Sequence, residues 1–174
     1  ARMSRIDPDS PQSASPRLHR RVRSDILKVV TIADWQALSR RDPGAAAREF
    51  GERFSRLSPG QQKAVMAWQV DEAALARNLA AAPDAPLAGV PYLLKDLFAV
   101  KGVPTFAGSS FLPEVQPIPL VNGALVKSLS QSGAALAGKT HLHEFAYGLT
   151  GENAHYGDVA HPHRPDRTSG GSSS

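Results

Sequence analysis

Glycine is unevenly spread along this chain of 174 residues: eleven of its fourteen glycines lie at or beyond Gly89. Glycines that dense mark tight turns and close backbone approaches, so the elements between them must be short. Val90-Pro91-Tyr92-Leu93-Leu94 reads as a strand that delivers Lys95 at its C-terminal end. Asn122 is positioned to cap a helix with Ala124, Leu125, Val126 and Leu129 on its apolar side, and Gly133 stops that helix. Ala134 to Gly138 reads as a buried strand, followed by a short helix near His143–Tyr147. Strand, helix and strand in this order predict an α/β sheet with helical cover.

The first half is built differently. Residues 1–23 hold six arginines against Asp7 and Asp9, with Pro8, Pro11 and Pro16, and read as a disordered basic tail. A targeting peptide fits less well, because the prolines and acids interrupt any amphipathic helix. The formal net charge of +4 resides in this tail, since residues 24–174 carry 14 basic and 14 acidic groups. A nucleic-acid domain would carry its positive charge on the folded body, and this body has no such excess.

Residues 24–86 read as a helical segment. Asp34 and Asp42-Pro43 are helix starts, and Phe50, Phe54 and Leu57 follow at helical spacing. Ser58-Pro59-Gly60-Gln61 is a further start, with Gln61 able to complete a capping box. Val65, Trp68, Leu75 and Leu79 read as one helical stripe that Pro83 and Pro86 end. This segment is expected to be scaffold, with the chemistry in residues 87–174.

Several chemistries are excluded at once. There is no cysteine, hence no disulfide, thiolate nucleophile or cysteine-based zinc site. Five of the six histidines fall at 141, 143, 155, 161 and 163, but without metal-ligand spacing such as His-Glu-x-x-His, so neither metal nor cofactor is expected. No apolar run is long enough for a membrane helix, and the cytoplasm is the expected location. Lys95, after an apolar strand, must snorkel, pair or lose its proton. A structural ion pair with Asp96 or Glu144 and a chemical role both fit that spacing. The terminal Gly170-Gly171-Ser172-Ser173-Ser174 alone reads as a linker or a turn.

Taken in order, the motifs narrow the choice. Gly89-Val90-Pro91-Tyr92-Leu93-Leu94-Lys95-Asp96 precedes Gly102-Val103-Pro104-Thr105, Gly108-Ser109, Gly133-Ala134 and Gly138-Lys139-Thr140. Glu144-Phe145-Ala146, Asn153, Tyr156-Gly157, Pro162 and Gly170-Gly171-Ser172-Ser173 complete the series. Over about residues 60–174 this resembles the N-terminal portion of the amidase signature family of serine hydrolases. His161-Pro162 stands where many members have Asn-Pro.

The resemblance implies an α/β/α sandwich with a mixed sheet, present as an N-terminal part. It implies hydrolysis of a carboxylic amide by a Ser–Ser–Lys triad, with Lys95 as base and Ser172 as the bridging serine, held after a cis peptide bond. Phe145 and Ala146 match the part of the family that lines the acyl pocket, and Ser173 is expected to support it. The acyl-forming serine of the family lies in a further Gly-Gly-Ser segment downstream, so residues 1–174 alone are expected to lack turnover. A lysine that acts as base must be uncharged, so Asp96 is expected to point away from it. The expected partner is a small amide substrate; a homodimer and a partner subunit both stay open. The alternatives are a glutaminase subunit of an amidotransferase and a non-catalytic binding or assembly module.

Overall fold

The computed structural model describes residues 31–173. The basic tail and the first residues of the helical segment lie outside them. Helix starts follow local side-chain chemistry. Thr31 caps α1 (Ile32–Arg41), and Asp34 sits three residues in, closing a capping box, rather than serving as the cap itself. Asp42 caps α2 (Pro43–Ser55), its Oδ1 accepting from the Ala45 amide at 2.8 Å, with Pro43 in the first turn. Ser58 caps α3 (Pro59–Val65), and Asp71 caps α4 (Glu72–Ala80).

The helical reading of this segment is corrected at β1 (Met66–Gln69). Val65 and Trp68 are three apart, as on a helix, but Met66 and Trp68 are two apart, as on a strand, so the pattern admits both periods. Tertiary pairing decides: β1 runs antiparallel to β3 (Ala135–Thr140), with Trp68 opposite Lys139 and Gln69 opposite Gly138. Gly138 makes this possible, since a Cβ there would stand 2.6 Å from the Trp68 carbonyl oxygen. Gln61 does not complete a capping box either. Its side chain donates to the Asp158 carbonyl and accepts from the Ala160 amide, tying α3 to a distant loop.

On its other side β3 pairs in parallel with β2 (Pro91–Lys95), Leu94 opposite Lys139 and Lys95 opposite Thr140. The sheet is therefore mixed, in the order β1-β3-β2. A parallel pair needs a crossover. Here it contains the short α5 (Leu112–Val115) and α6 (Ala124–Gln131). Gly123 caps α6, while the Asn122 side chain accepts from the Lys101 amide, so Asn122 closes a loop instead of starting the helix. Gly133 ends the helix with a φ of 83°.

Alternation along β3 builds the layers. Ala135 and Ala137 pack with Ala46 and Ala47 of α2 and Leu75 and Leu79 of α4. Leu136 points the other way, into a cluster with Leu94, Val100, Val103 and Val126 of α6. Helices thus cover both faces of a mixed sheet, which is the expected α/β/α arrangement, seen here as part of a domain. A hairpin, β4 (Ala160–His161) and β5 (Arg164–Thr168), lies apart from that sheet. No helix among the described residues is long and apolar enough to cross a membrane.

Candidate active site

Lys95 is the last residue of β2, at the carboxyl end of a parallel strand, where open α/β sheets collect functional groups. Its Nζ lies 2.5 Å from the Oγ of Ser172, 77 residues later, and both residues are partly buried. The Gly171–Ser172 peptide bond is cis. Gly171 sits against backbone: a Cβ there would come within 2.8 Å of the Gly151 nitrogen and 3.1 Å of the Leu149 carbonyl carbon. The Ser172 carbonyl accepts from the His143 amide at 3.1 Å, which fastens the serine segment to the chain that follows β3.

That chain carries the short 3-10 turn Glu144–Ala146. Phe145 and Ala146 take left-handed φ values of 52° and 59°, a costly conformation for residues with a side chain. The Phe145 amide donates to the Ala107 carbonyl at 2.8 Å and the Ala146 amide to that of His143 at 2.7 Å. Ala146 is thus linked to Ser172 through one intervening residue, His143, while Phe145 is tied to Ala107. Phe145 is half exposed and Ser173 is exposed beside Ser172.

Neither acid proposed as a structural partner for Lys95 plays that part. Glu144 pairs with His155 at 3.1 Å. Asp96 is fully buried and forms an ion pair with the fully buried Lys139. Its Oδ2 also accepts from the Phe106 and Ala107 amides at 2.7 and 3.2 Å. Burial raises the Asp96 carboxyl above the ordinary range, against the lowering pull of Lys139 and those two amides. The remaining Lys139 hydrogens go to the Pro104 carbonyl and Thr105 Oγ1, each at 3.2 Å.

The histidines do not gather. His141 is buried and stacks on Tyr156 with ring centroids 3.7 Å apart. Burial, with a smaller contribution from the positive charge of Lys63, lowers the His141 pKa to about 4, so it is neutral near pH 7. His155 also contacts Ser110 at 3.3 Å, while His161 and His163 lie on the β4–β5 hairpin. No group of three or more histidines and acids among the described residues could hold a metal ion.

A family profile described as Amidase matches residues 47–174. The chain belongs to the amidase family. Its relatives in that family include AtzE, the 1-carboxybiuret hydrolase subunit of Pseudomonas sp. (strain ADP), 47% identical over 88 residues, which are 51% of this chain and 19% of that protein. A glutamyl-tRNA(Gln) amidotransferase subunit of Methanosarcina mazei is 40% identical over 90 residues, 52% of this chain and 18% of that protein. A solved structure similar to this one is an inhibitor-bound vestigial protein complex, described as revealing the evolutionary origins of an s-triazine catabolic enzyme. It superposes with a TM-score of 0.70 at 32% identity, over 84% of this chain and 33% of that one. Allophanate hydrolase of Kluyveromyces lactis gives 0.67 at 27% identity, over 82% of this chain and 24% of that one. This amidase-family chain therefore spans about a fifth of the curated relatives' length.

Three residues around the site had no role assigned from the sequence. Lys139 appeared only within the Gly138-Lys139-Thr140 motif, with no partner; the structure pairs it with Asp96. Asn153 is buried, and its amide nitrogen donates to the carbonyls of Gly108 and Leu142, both at 2.8 Å. Tyr156 donates to the Ser109 carbonyl, and its hydroxyl is raised in pKa by burial, then by the charges of Asp96 and Glu144.

Proposed function

We propose that this segment supplies two members of a proton relay for hydrolysis of a carboxylic amide, with Lys95 as base and Ser172 as bridge. The observation that carries it is the 2.5 Å contact between Lys95 Nζ and Ser172 Oγ, with Asp96 and Glu144 engaged elsewhere. A hydroxyl is a poor nucleophile until its proton is removed as it attacks. In the proposed step a third hydroxyl, from a part of the enzyme outside these 174 residues, passes its proton to Ser172 Oγ. Ser172 passes its own to the free-base amine of Lys95. The attacking oxygen bonds to the amide carbon, and the carbonyl electrons move onto oxygen. Collapse of that intermediate breaks the C–N bond, and the Lys95 proton returns through Ser172 to the departing amine. Water then repeats the sequence on the acyl-enzyme. Phe145, Ala146 and Ser173 are assigned to the acyl side of the pocket, because Ala146 joins Ser172 through His143, Phe145 precedes Ala146 and Ser173 follows Ser172.

Two relatives are named as subunits, which supports a partner subunit for the intact enzyme and keeps a glutaminase role as the second reading. A non-catalytic module is less well supported, because a module for assembly has no use for a lysine kept from its acids. The test is Lys95→Ala in the intact enzyme. Amide hydrolysis should fall by at least about a thousandfold with the circular dichroism unchanged. Retained turnover overturns the reading.

A further inference from the structure

Lys95 closes β2 and its amine meets Ser172 Oγ, while Asp96 is the first residue past the strand. The Asp96 amide donates to the Thr140 carbonyl at 3.0 Å, and its carboxylate meets Lys139 of β3. There the two side chains are wholly excluded from solvent. The carboxylate takes Lys139 on one oxygen and the Phe106 and Ala107 amides on the other. The lysine takes Asp96, the Pro104 carbonyl and Thr105 Oγ1, one acceptor for each hydrogen. The set is closed, with a net charge of zero, one residue away from Lys95.

We infer that Lys139 is a positioning residue of the active site: it holds and neutralises the Asp96 carboxylate, leaving Lys95 to Ser172. The inference rests on the proposed role of Lys95 as base. Removing Lys139 leaves an uncompensated negative charge beside Lys95, which favours its protonated, inactive form. Removing Asp96 leaves an uncompensated positive charge, which favours the free amine. The pair also anchors the loop from Pro104 to Ala107, and the Ala107 carbonyl accepts from Phe145. Titratable groups on the elements packed around the site are His141, His143 and Glu144 after β3, Tyr156 before β4, and Lys63 on α3.

The test is the acid limb of the kcat/KM against pH profile in the intact enzyme. Asp96→Asn should move the limb down by about one pH unit and Lys139→Met should move it up by about as much. The double variant Asp96→Asn/Lys139→Met should return it to the parental position even where its rate is lower. A purely structural pair lowers rate or stability in all three variants and leaves the limb where it was, and that result overturns the inference. If Lys139→Met does not fold, Asp96→Asn and the double variant decide: a downward shift that the double reverses supports the inference, and coincident limbs overturn it. Lys95→Ala measured alongside separates the two claims. Turnover in that variant removes the base itself, and the inference falls with it. A silent Lys95→Ala with unmoved limbs removes only the role of Lys139.

Discussion

Lys95 ends β2 and Lys139 is the last residue but one of the neighbouring β3, and their surroundings differ in nearly every respect. Lys139, on β3, is wholly buried and meets a carboxylate and two further oxygens. Lys95, on β2, is partly exposed and has the Ser172 hydroxyl at 2.5 Å. The first arrangement satisfies a charged amine and commits it to structure. The second supplies a partner that can give up a proton as readily as accept one. The difference arises from strand register, which puts Leu94 opposite Lys139 and Lys95 opposite Thr140. A slip of one residue would turn the side chains of the slipped strand to the opposite face and undo both arrangements.

The comparison breaks most visibly in rate. Ser172→Ala in the intact enzyme should lower kcat by about two to four orders of magnitude, as for loss of a group that moves a proton in the transition state. Its melting temperature should stay near the parental value, because Ser172 is only partly buried and its carbonyl bond to His143 is a backbone bond. A variant that keeps most of its rate would put Ser172 outside the relay.

The second break is in stability. Lys139→Met leaves Asp96 buried without its counter-charge, and such losses cost about 3–5 kcal/mol. Asp96→Asn/Lys139→Met removes both charges and should recover much of that loss, since replacing a whole buried pair is often close to neutral. Urea unfolding midpoints of parent, single and double variants measure this. Equal midpoints for the single and double variants would mean that the pair does not act as a unit.

A smaller effect separates the buried titratable groups from the exposed ones. His141 has a folded pKa of about 4 against an unfolded value near 6.5. The unfolded chain therefore binds the proton first as pH falls. Stability from the neutral, stacked ring is complete above about pH 6.5 and is lost on the way down to about pH 4, on the order of 3 kcal/mol. His141→Phe keeps an aromatic ring against Tyr156 and cannot titrate. Its melting temperature should fall less than the parent's between about pH 7 and pH 4, and parallel curves would remove His141 as the cause.

What could be read beforehand divides along the same line, between local and register-dependent features. Asp42-Pro43 and Ser58-Pro59 announced their helices because a cap acts within the first turn. Gly133 ended α6 for an equally local reason. Lys95 and Ser172 came together in the reading through an ordered set of motifs, not through geometry, since 77 residues separate them. β1 was missed because Val65, Met66 and Trp68 satisfy both periods until β3 is there to pair with them. Asn122 and Gln61 carry cap-forming side chains, yet both are spent on distant backbone, Lys101 in one case and Asp158 and Ala160 in the other. The Asp96–Lys139 pair was hidden for the same reason: either residue alone is an ordinary strand-end charge.

The smallest prediction tests whether the local signals carry energy as well as position. Asp42 accepts from the Ala45 amide at 2.8 Å and is exposed, so its contribution is confined to the first turn of α2. Asp42→Ala removes that acceptor and should cost about 1 kcal/mol. The nearby Arg48 adds little to this, because its ion pair with Asp42 spans 3.9 Å between exposed groups. Asp42→Asn keeps an acceptor while removing the charge, so it should recover most of the loss, and Arg48→Ala alone should change the melting temperature hardly at all. If Asp42→Asn were as damaging as Asp42→Ala, the charge at the helix start would outweigh the hydrogen bond. The α2 start would then be electrostatic in origin, like the buried pair in the sheet.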